Sequence, residues 1–290
     1  MSRDMKIDLQ HLQQWVGKTE QQTDLITPAP VAALAATLDR DEPPPRNGDP
    51  LPPLWHWLYF LPVHRQSQLG PDGHPKRGGF LPPVPLPRRM WAGSQLSFKR
   101  ALTIGSAIQR VSRILEVKHK SGRSGELVFV KVQHNISDTQ GLAISEEHTI
   151  VYRDNPRPDA APAVPQPAPA DHAWSREIHP DPVLLFRYSA LTFNGHRIHY
   201  DRPYATDTEG YPGLVVHGPL IATLLLDALR RNNPKANVAS FSFRAVSPLF
   251  DINPFAVCGR PDAENKSIHL WARDADGYLT MDARACYSTP

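Results

Sequence analysis

The chain has 290 residues, of which 40% are hydrophobic and 21% are charged, and both fractions are ordinary for a globular protein. Its 32 basic and 29 acidic residues leave a formal net charge of only +3. Such a small excess excludes the broad basic face that a nucleic-acid-binding protein needs, although one or two arginines are enough to bind a small anion.

The two cysteines, Cys258 and Cys286, have no metal-ligand spacing and are too few for a disulfide scaffold. The first ten residues mix both charge signs and do not resemble a signal peptide. The longest apolar run falls far short of the ~20 residues that span a bilayer. We therefore expect a cytoplasmic protein that has no membrane partner.

Proline is unusually frequent, with 31 residues, and its distribution divides the chain. The centre of the segment 155–182 alternates proline with alanine, so we predict an extended, semi-rigid linker there. This linker separates an N-terminal half, residues 1–154, from a C-terminal half, residues 183–290.

In the N-terminal half, Thr27 is expected to cap a helix that has Pro28 in its first turn. Strands are then predicted over residues 101–118, 126–136 and 142–153. The sequences SGRSG and SDTQG between them are typical of turns.

In the C-terminal half, Gly218 and Pro219 open an apolar helix that runs through Leu229 and ends before Asn-Asn-Pro. Strands are predicted over four further segments, of which the last two are joined by an Asp276-Gly277 hairpin turn. These segments are residues 238–248, 255–260, 267–273 and 278–287.

The helix that begins at Gly218 is apolar on nearly every side, so it must be surrounded rather than laid on a surface. An antiparallel sheet wrapped round one helix meets that need. The order of a helix followed by long strands occurs twice, which favours two such α+β units in one chain. The alternative is two unrelated α+β domains, because the halves share no obvious sequence identity.

The densest group of polar side chains lies between residues 187 and 205. On a helix, His196 and His199 would share one face, but no ligand stands at a matching spacing and no H-E-x-x-H motif occurs, so no metal is predicted. Asp201 and Arg202 have the simpler interpretation of a solvated ion pair. Periodicity alone indicates only a polar, histidine-rich helix.

Gly218 stands where a ligand could approach the backbone at a helix start, where unpaired N–H groups carry partial positive charge. Its N–H is suited to stabilising a developing oxyanion. The alternative is that this glycine only permits a tight entry into the helix.

The segment YSALTFNGHRIHYDRPYA, followed by GLVVHGPL, resembles the hydratase motif of the MaoC-like (R)-specific enoyl-thioester hydratases. In the N-terminal half, DGHPKRGGFLPPVPLPRRMWAGSQLSF is similar to the subgroup of 3-methylfumaryl-CoA (mesaconyl) and itaconyl-CoA hydratases and mitochondrial-type 3-hydroxyacyl-thioester dehydratases. The resemblance runs from about Trp15 to the C-terminus. It implies a double hot dog fold, an acyl-CoA substrate and no cofactor.

The resemblance also implies catalytic roles. His199 falls on the family histidine, but Asn194 stands where the family has its catalytic aspartate. An amide cannot accept a proton at neutral pH, so His199 is the expected base and Asn194 would orient the attacking water. Gly218 would receive the thioester oxygen. His196, Asp201 and His217 are auxiliary candidates.

Arginine side chains match the phosphates of CoA and the carboxylate of a dicarboxylic acyl group, although each candidate could instead be a surface charge. The candidates for substrate or CoA binding are Arg88, Arg89, Arg197, Arg202 and Arg244. The N-terminal half has no equivalent motif, so we expect it to shape the pocket and bind the substrate without carrying the catalytic motif.

Three functions remain open. The first is hydration of a branched C5 dicarboxylic enoyl-CoA, 3-methylfumaryl- or itaconyl-CoA, to citramalyl-CoA. The second is dehydration of a 3-hydroxyacyl thioester, on CoA or a carrier protein, in fatty acid metabolism. The third is a non-catalytic module that binds acyl thioesters. Exposed sheet edges need cover, so we also expect a homodimer.

Overall fold

The computed structural model describes residues 7–122, 125–155, 164–262, 264 and 266–288. In these residues, ten strands form one antiparallel sheet. The strands are β1 (Thr19–Leu25), β2 (Arg88–Phe98), β3 (Ala107–Gly122), β4 (Gly125–Asp138), β5 (Gly141–Arg153), β6 (Trp174–Ile178), β7 (Asn237–Ala245), β8 (Phe255–Asp262), β9 (Ser267–Arg273) and β10 (Leu279–Ser288).

Four α-helices accompany the sheet in the described residues. They are α1 (Leu9–Gln13), α2 (Pro28–Thr37), α3 (Pro182–Leu191) and α4 (Gly218–Asn232). None of the described helices is both long and apolar enough to cross a membrane.

Both halves of the sheet have the same strand order. The full order is β1-β3-β4-β5-β2-β7-β10-β9-β8-β6. Read inward from its outer edge, each half therefore places its first, third, fourth, fifth and second strand in turn. In each half a helix, α2 or α4, lies between the first and second strands in sequence. This is the double hot dog that the sequence predicts.

The two halves join where β2 pairs antiparallel with β7. Gly93 lies opposite Arg244 in this pairing, and a Cβ at residue 93 would lie 2.2 Å from the carbonyl oxygen of Phe243. Real Cβ atoms do not approach backbone so closely. Glycine is thus needed at residue 93 for the two half-sheets to close into one.

Helix α4 is the central element of the C-terminal half. All ten residues from Leu220 to Leu229 are buried, as expected for a helix that is apolar on nearly every side. Helix α2 is shorter and buries only Val31, Leu34 and Thr37 in the N-terminal half.

Several element boundaries differ from prediction. Strand β3 starts at Ala107 rather than at residue 101, because residues 103–105 form a turn in which Gly105 has a φ of +92°. Strands β1 and β2 were not predicted from the sequence. Strand β1 reads TEQQTDL, and the exposure of every second residue fits its edge position.

The predicted linker 155–182 is wrong in its C-terminal part. It contains β6, which pairs with β8 and thus belongs to the C-terminal half. The short sequence WSREI could not be predicted as a strand, because prolines and charged residues surround it. Residues 156–163 of the predicted linker, and residues 123–124 of the predicted SGRSG turn, lie outside the described residues.

The outer edges of the sheet are β1 and β6, which are seven and five residues long. Short, polar edge strands are one way in which proteins avoid edge-to-edge pairing. The homodimer therefore stays a prediction, and the sheet edges alone do not require it.

Candidate active site

A cavity of about 1240 Å³ lies between the two halves and is lined by residues from both. Four of the six predicted catalytic and auxiliary residues line it together: Asn194, His196, His199 and Gly218. From the N-terminal half the lining includes His74, Arg89, Trp91, Glu146 and His148. The fold thus assembles one site from sequence segments that lie far apart.

Asn194 follows the end of α3, where its backbone N–H donates to the carbonyl of Ser189 at 2.8 Å. Its side-chain Oδ1 accepts a hydrogen bond from the backbone N–H of His196 at 3.0 Å. This short polar turn fixes the loop in front of the cavity. One lone pair of the amide oxygen is therefore used, and the NH₂ group of Asn194 remains as a donor.

His199 ends a single 3-10 turn, Arg197–His199, so the predicted helical face shared with His196 is wrong. The two rings instead meet edge to face, with 5.4 Å between their centroids. The Nδ1 of His199 lies 2.6 Å from the carbonyl oxygen of Val215. A carbonyl can only accept, so Nδ1 carries the proton and Nε2 is left as a base.

The buried ring of His217 packs against the ring of His199. It precedes α4, is buried, and its Nε2 is hydrogen-bonded to the hydroxyl of Ser189 at 2.8 Å. Burial lowers the pKa of His199 to about 4 and holds the pKa of His217 well below its usual value. Both imidazoles are therefore neutral at pH 7. His217 does not line the cavity, and a role in positioning His199 stays a prediction.

Gly218 is the first residue of α4 and lines the cavity. A Cβ built at this position would meet nothing within 4 Å, and its φ is not in the left-handed region. Neither packing nor backbone conformation thus requires glycine here. The open space leaves a helix N-terminus accessible to a ligand.

Sequence analysis did not assign a role to the loop Gly70-Pro71-Asp72-Gly73-His74, which lies directly on the segment after Asn194. Gly73 has a φ of +86°, and a Cβ there would lie 1.9 Å from the carbonyl oxygen of Gly195. The backbone N–H of Arg197 donates to the carbonyl of Asp72 at 2.9 Å. These backbone contacts therefore fix the loop against the segment that contains Gly195 and Arg197.

This contact brings Asp72 and His74 to His196. The Oδ2 of Asp72 lies 3.2 Å from Nδ1 of His74, and the rings of His74 and His196 have centroids 4.0 Å apart. Burial, the largest single effect, opposes ionisation of Asp72, but the hydrogen bonds and charge of His74 and the charge of His196 together outweigh it, and the pKa of Asp72 falls well below its usual value. Burial, the largest effect, lowers the pKa of His196 to about 2.

Asp72, His74 and His196 each have one ligand atom within 4.8 Å of the other two, a spacing at which a divalent cation could be held. The absence of a metal therefore stays a prediction. Sequence spacing could not reveal this group, because its members come from opposite halves of the chain.

A second buried polar group lies in the N-terminal half. Glu146 accepts hydrogen bonds from the Ser94 hydroxyl at 2.8 Å and the Trp57 indole at 3.1 Å, and lies 3.4 Å from Nε2 of His56. Burial acts in the opposite direction, but His56 and other neighbours lower the pKa of Glu146 to about 2. This part of the cavity therefore presents a buried carboxylate. Beside it, His148 is stacked on Trp91.

Of the five predicted arginines, Arg89 and Arg197 line the cavity. Arg197 is paired with Asp201 at 2.8 Å, so Asp201 faces this arginine and does not line the cavity. The hydrogen bond from Arg197 lowers the pKa of Asp201. Direct proton transfer by Asp201 is therefore not supported. The predicted pair of Asp201 with Arg202 is also wrong.

The other three predicted arginines lie outside the cavity lining. Arg88 pairs with Glu209 at 3.4 Å, and Arg202 pairs with the buried Asp251. Arg244 is exposed on β7. The alternative of a structural or surface charge thus describes all three in the present geometry.

Known proteins resemble this chain over most of its length. The family described as hydroxyacyl-thioester dehydratase type 2 matches residues 54–251. The mesaconyl-C(4)-CoA hydratase of Chloroflexus aurantiacus is 51% identical over 93% of this chain and 95% of its own length. The mitochondrial hydroxyacyl-thioester dehydratase type 2 of Schizosaccharomyces pombe is 30% identical over 81% of this chain and 88% of its own.

Among solved structures, a MaoC-like dehydratase from Phytophthora capsici superposes with a TM-score of 0.65 and 14% identity. The match covers 98% of this chain and 100% of that one. At this identity, the likeness concerns the fold.

Proposed function

Because the chain belongs to the hydroxyacyl-thioester dehydratase type 2 family of MaoC-like hydro-lyases, we propose that it hydrates 3-methylfumaryl-CoA, the mesaconyl-C4 ester, to citramalyl-CoA. The β carbon of this ester carries a methyl group and a free carboxylate. The enzyme adds the hydroxyl of water to that carbon and a proton to the α carbon. Itaconyl-CoA, which gives the same product, is the second substrate to test.

In the proposed reaction, Nε2 of His199 removes a proton from water as the oxygen bonds to the β carbon. The π electrons move to the thioester oxygen, where the N–H of Gly218 at the helix start stabilises the negative charge. The NH₂ group of Asn194 orients the water. The enolate then takes the proton back from His199 at its α carbon.

The position of Arg89 supports the choice of 3-methylfumaryl-CoA as the substrate. The free carboxylate is attached to the carbon that water attacks, so its binding cation must lie beside the catalytic histidines. The Arg89 guanidinium lies close enough to contribute to the lowered pKa of both His74 and His196, after the larger effect of burial. In the described part of the chain no carboxylate pairs with Arg89, unlike Arg88 and Arg197.

The alternative, dehydration of a 3-hydroxyacyl thioester with an aliphatic chain, is favoured by the cavity volume of about 1240 Å³, which exceeds what a C5 acyl group fills. The lining opposes it. An aliphatic chain that extended into the N-terminal half would contact Glu146, His148 and their buried partners. Apolar surface gains little from contact with an ionised carboxylate. The polar lining supports a short, charged acyl group.

The test is the loss of enoyl-thioester absorbance with 3-methylfumaryl-CoA or crotonyl-CoA, with citramalyl-CoA formation as the readout for itaconyl-CoA. His199→Ala is compared with wild type, and His179→Ala serves as control because His179 is exposed and outside the cavity. We expect the highest kcat/KM for 3-methylfumaryl-CoA and its loss only in His199→Ala. Preference for crotonyl-CoA would favour the dehydratase. Tight binding of all three esters without turnover would favour the non-catalytic module.

A further inference from the structure

We propose that Asp72 and His74, contributed by the N-terminal half, form the second proton-handling pair of the active site and replace the family aspartate that is Asn194 in this chain. This inference rests on the proposed hydratase function. It also gives the N-terminal half a direct part in the chemistry, beyond shaping the pocket.

Asn194 cannot take over the proton-accepting role of the family aspartate. An attacking water has two hydrogens, and a base that takes one leaves the other in need of an acceptor. The Oδ1 of Asn194 accepts the N–H of His196 at 3.0 Å. Its second lone pair can accept a hydrogen bond, but an amide takes up no proton at neutral pH, so residue 194 cannot replace the carboxylate of the family aspartate.

The Asp72 carboxylate holds the ring of His74 in one orientation. Asp72 accepts the backbone N–H of His74 at Oδ1, 3.0 Å away, and lies 3.2 Å from its ring Nδ1 at Oδ2. A carboxylate with these contacts fixes the ring orientation and keeps the proton on Nδ1. Nε2 is then an acceptor. His74 lines the same cavity as Asn194 and His199.

Backbone contacts hold Asp72 and His74 in place. Gly73 contacts the backbone of Gly195, and Asp72 accepts from the backbone N–H of Arg197. The His74 ring lies 4.0 Å from that of His196, centroid to centroid. The Asp72–His74 pair is therefore held in one position relative to the catalytic segment.

In the proposed step, one water lies between Nε2 of His199 and Nε2 of His74. His199 takes one hydrogen as a proton while His74 holds the other by a hydrogen bond, and the oxygen bonds to the β carbon. The proton on His199 then moves to the α carbon, so water is the only added reactant. The Asp72 carboxylate stabilises the positive charge on the imidazole groups during the step.

The test compares Asp72→Asn, His74→Gln and Asp72→Glu with wild type on 3-methylfumaryl-CoA. We expect kcat to fall about 10-fold or more in Asp72→Asn and about 100-fold in His74→Gln, with KM changed less than about two-fold. Asp72→Glu keeps a carboxylate and should recover part of kcat. Asp41→Asn, an exposed substitution, is the control, and thermal unfolding verifies that each variant is folded.

A second readout is independent of activity. Nitrogen NMR of the histidine rings should show His74 protonated at Nδ1 in wild type and a changed tautomer population in Asp72→Asn. Folded variants with kcat within about two-fold of wild type, or a His74 ring protonated at Nε2 in wild type, would overturn the proposal.

Two further outcomes are distinguishable. Loss of activity with a chelator and its recovery with Zn²⁺ would identify Asp72, His74 and His196 as a metal site. That result would overturn the proton-handling role. A wild-type protein that turns over none of the esters overturns the proposed function instead, and the NMR result still decides whether the Asp72–His74 pair exists.

Discussion

The imidazole of His217 lies face to face with that of His199, with 3.7 Å between the ring centroids and 19° between the planes. His217 is held in turn by the hydroxyl of Ser189. We propose that the His-Gly sequence at the start of α4 serves two functions, in which the histidine supports the His199 base and the glycine N–H stabilises the thioester oxygen.

The stack predicts that an aromatic ring, rather than a histidine, is needed at residue 217. His217→Ala should lower kcat about 10-fold or more because His199 loses the surface that holds its ring. His217→Phe keeps a flat ring and should retain more activity. Steady-state kinetics on folded proteins, with His179→Ala as control, decide this. Equal activities of the Ala and Phe variants would contradict the role of the stack.

Arg89 should discriminate between substrates. Arg89→Gln should raise KM for 3-methylfumaryl-CoA about 10- to 100-fold, because a charge-assisted hydrogen bond contributes about 1.5–3 kcal/mol. Crotonyl-CoA has no second carboxylate, so its kinetics should change little. Arg244→Gln is the matched control, since Arg244 is exposed and outside the cavity. A similar loss for both substrates would show that Arg89 does not read the carboxylate.

Buried histidines should make the fold sensitive to acid. Burial is the main cause that lowers the pKa of His134 and His199 to about 4 and of His148 to about 3. The unfolded chain takes up these protons near pH 6.5, and the folded protein does not. Stability is therefore complete above about pH 6.5 and falls toward pH 4, by up to about 1.4 kcal/mol per pH unit for each histidine.

Urea unfolding at about pH 7 and about pH 5 measures this difference. A lower midpoint at the acidic pH is expected, and His148→Phe should reduce the difference. An equal free energy of unfolding at both pH values would show that these rings are not kept neutral by burial.

Asp227 on α4 should be needed for stability. Its side chain is fully buried and pairs with Arg231 at 2.7 Å, with Arg176 at 2.9 Å and with Arg40 from the N-terminal half. Asp227→Asn leaves the partly buried guanidinium groups of Arg176 and Arg231 without their carboxylate, and leaves Arg40 with Glu42 alone. The free energy of unfolding should fall by about 3 kcal/mol or more, measured by denaturant titration. Asp41→Asn, on the surface, should change little, and equal values for the two variants would contradict the prediction.

The elements that the sequence predicts well are those with strong local signals. The apolar run after Gly218 and the strands β5, β9 and β10 agree closely with the structure, because burial dictates their residue pattern. Strands β1 and β6 were missed because edge positions accept polar residues, and TEQQTDL and WSREI carry little periodicity.

The site divides in the same way. Asn194, His199 and Gly218 belong to two neighbouring segments that carry the resemblance, so their shared cavity could be predicted from it. Asp72 and His74 could not, because their contact with His196 depends on how the two halves dock. Residue type alone does not tell which arginine lines the cavity. Only the fold places Arg89 in the lining and Arg244 outside it.

The most direct test of the central claim is hydration of 3-methylfumaryl-CoA in ¹⁸O-labelled water, with the product analysed by mass spectrometry for wild type and His199→Ala. Hydration at the β carbon predicts citramalyl-CoA that carries one labelled oxygen, formed rapidly by wild type and not by the variant. Unchanged 3-methylfumaryl-CoA beside rapid hydration of crotonyl-CoA, or equal product from both proteins, would contradict the proposed substrate or the role of His199.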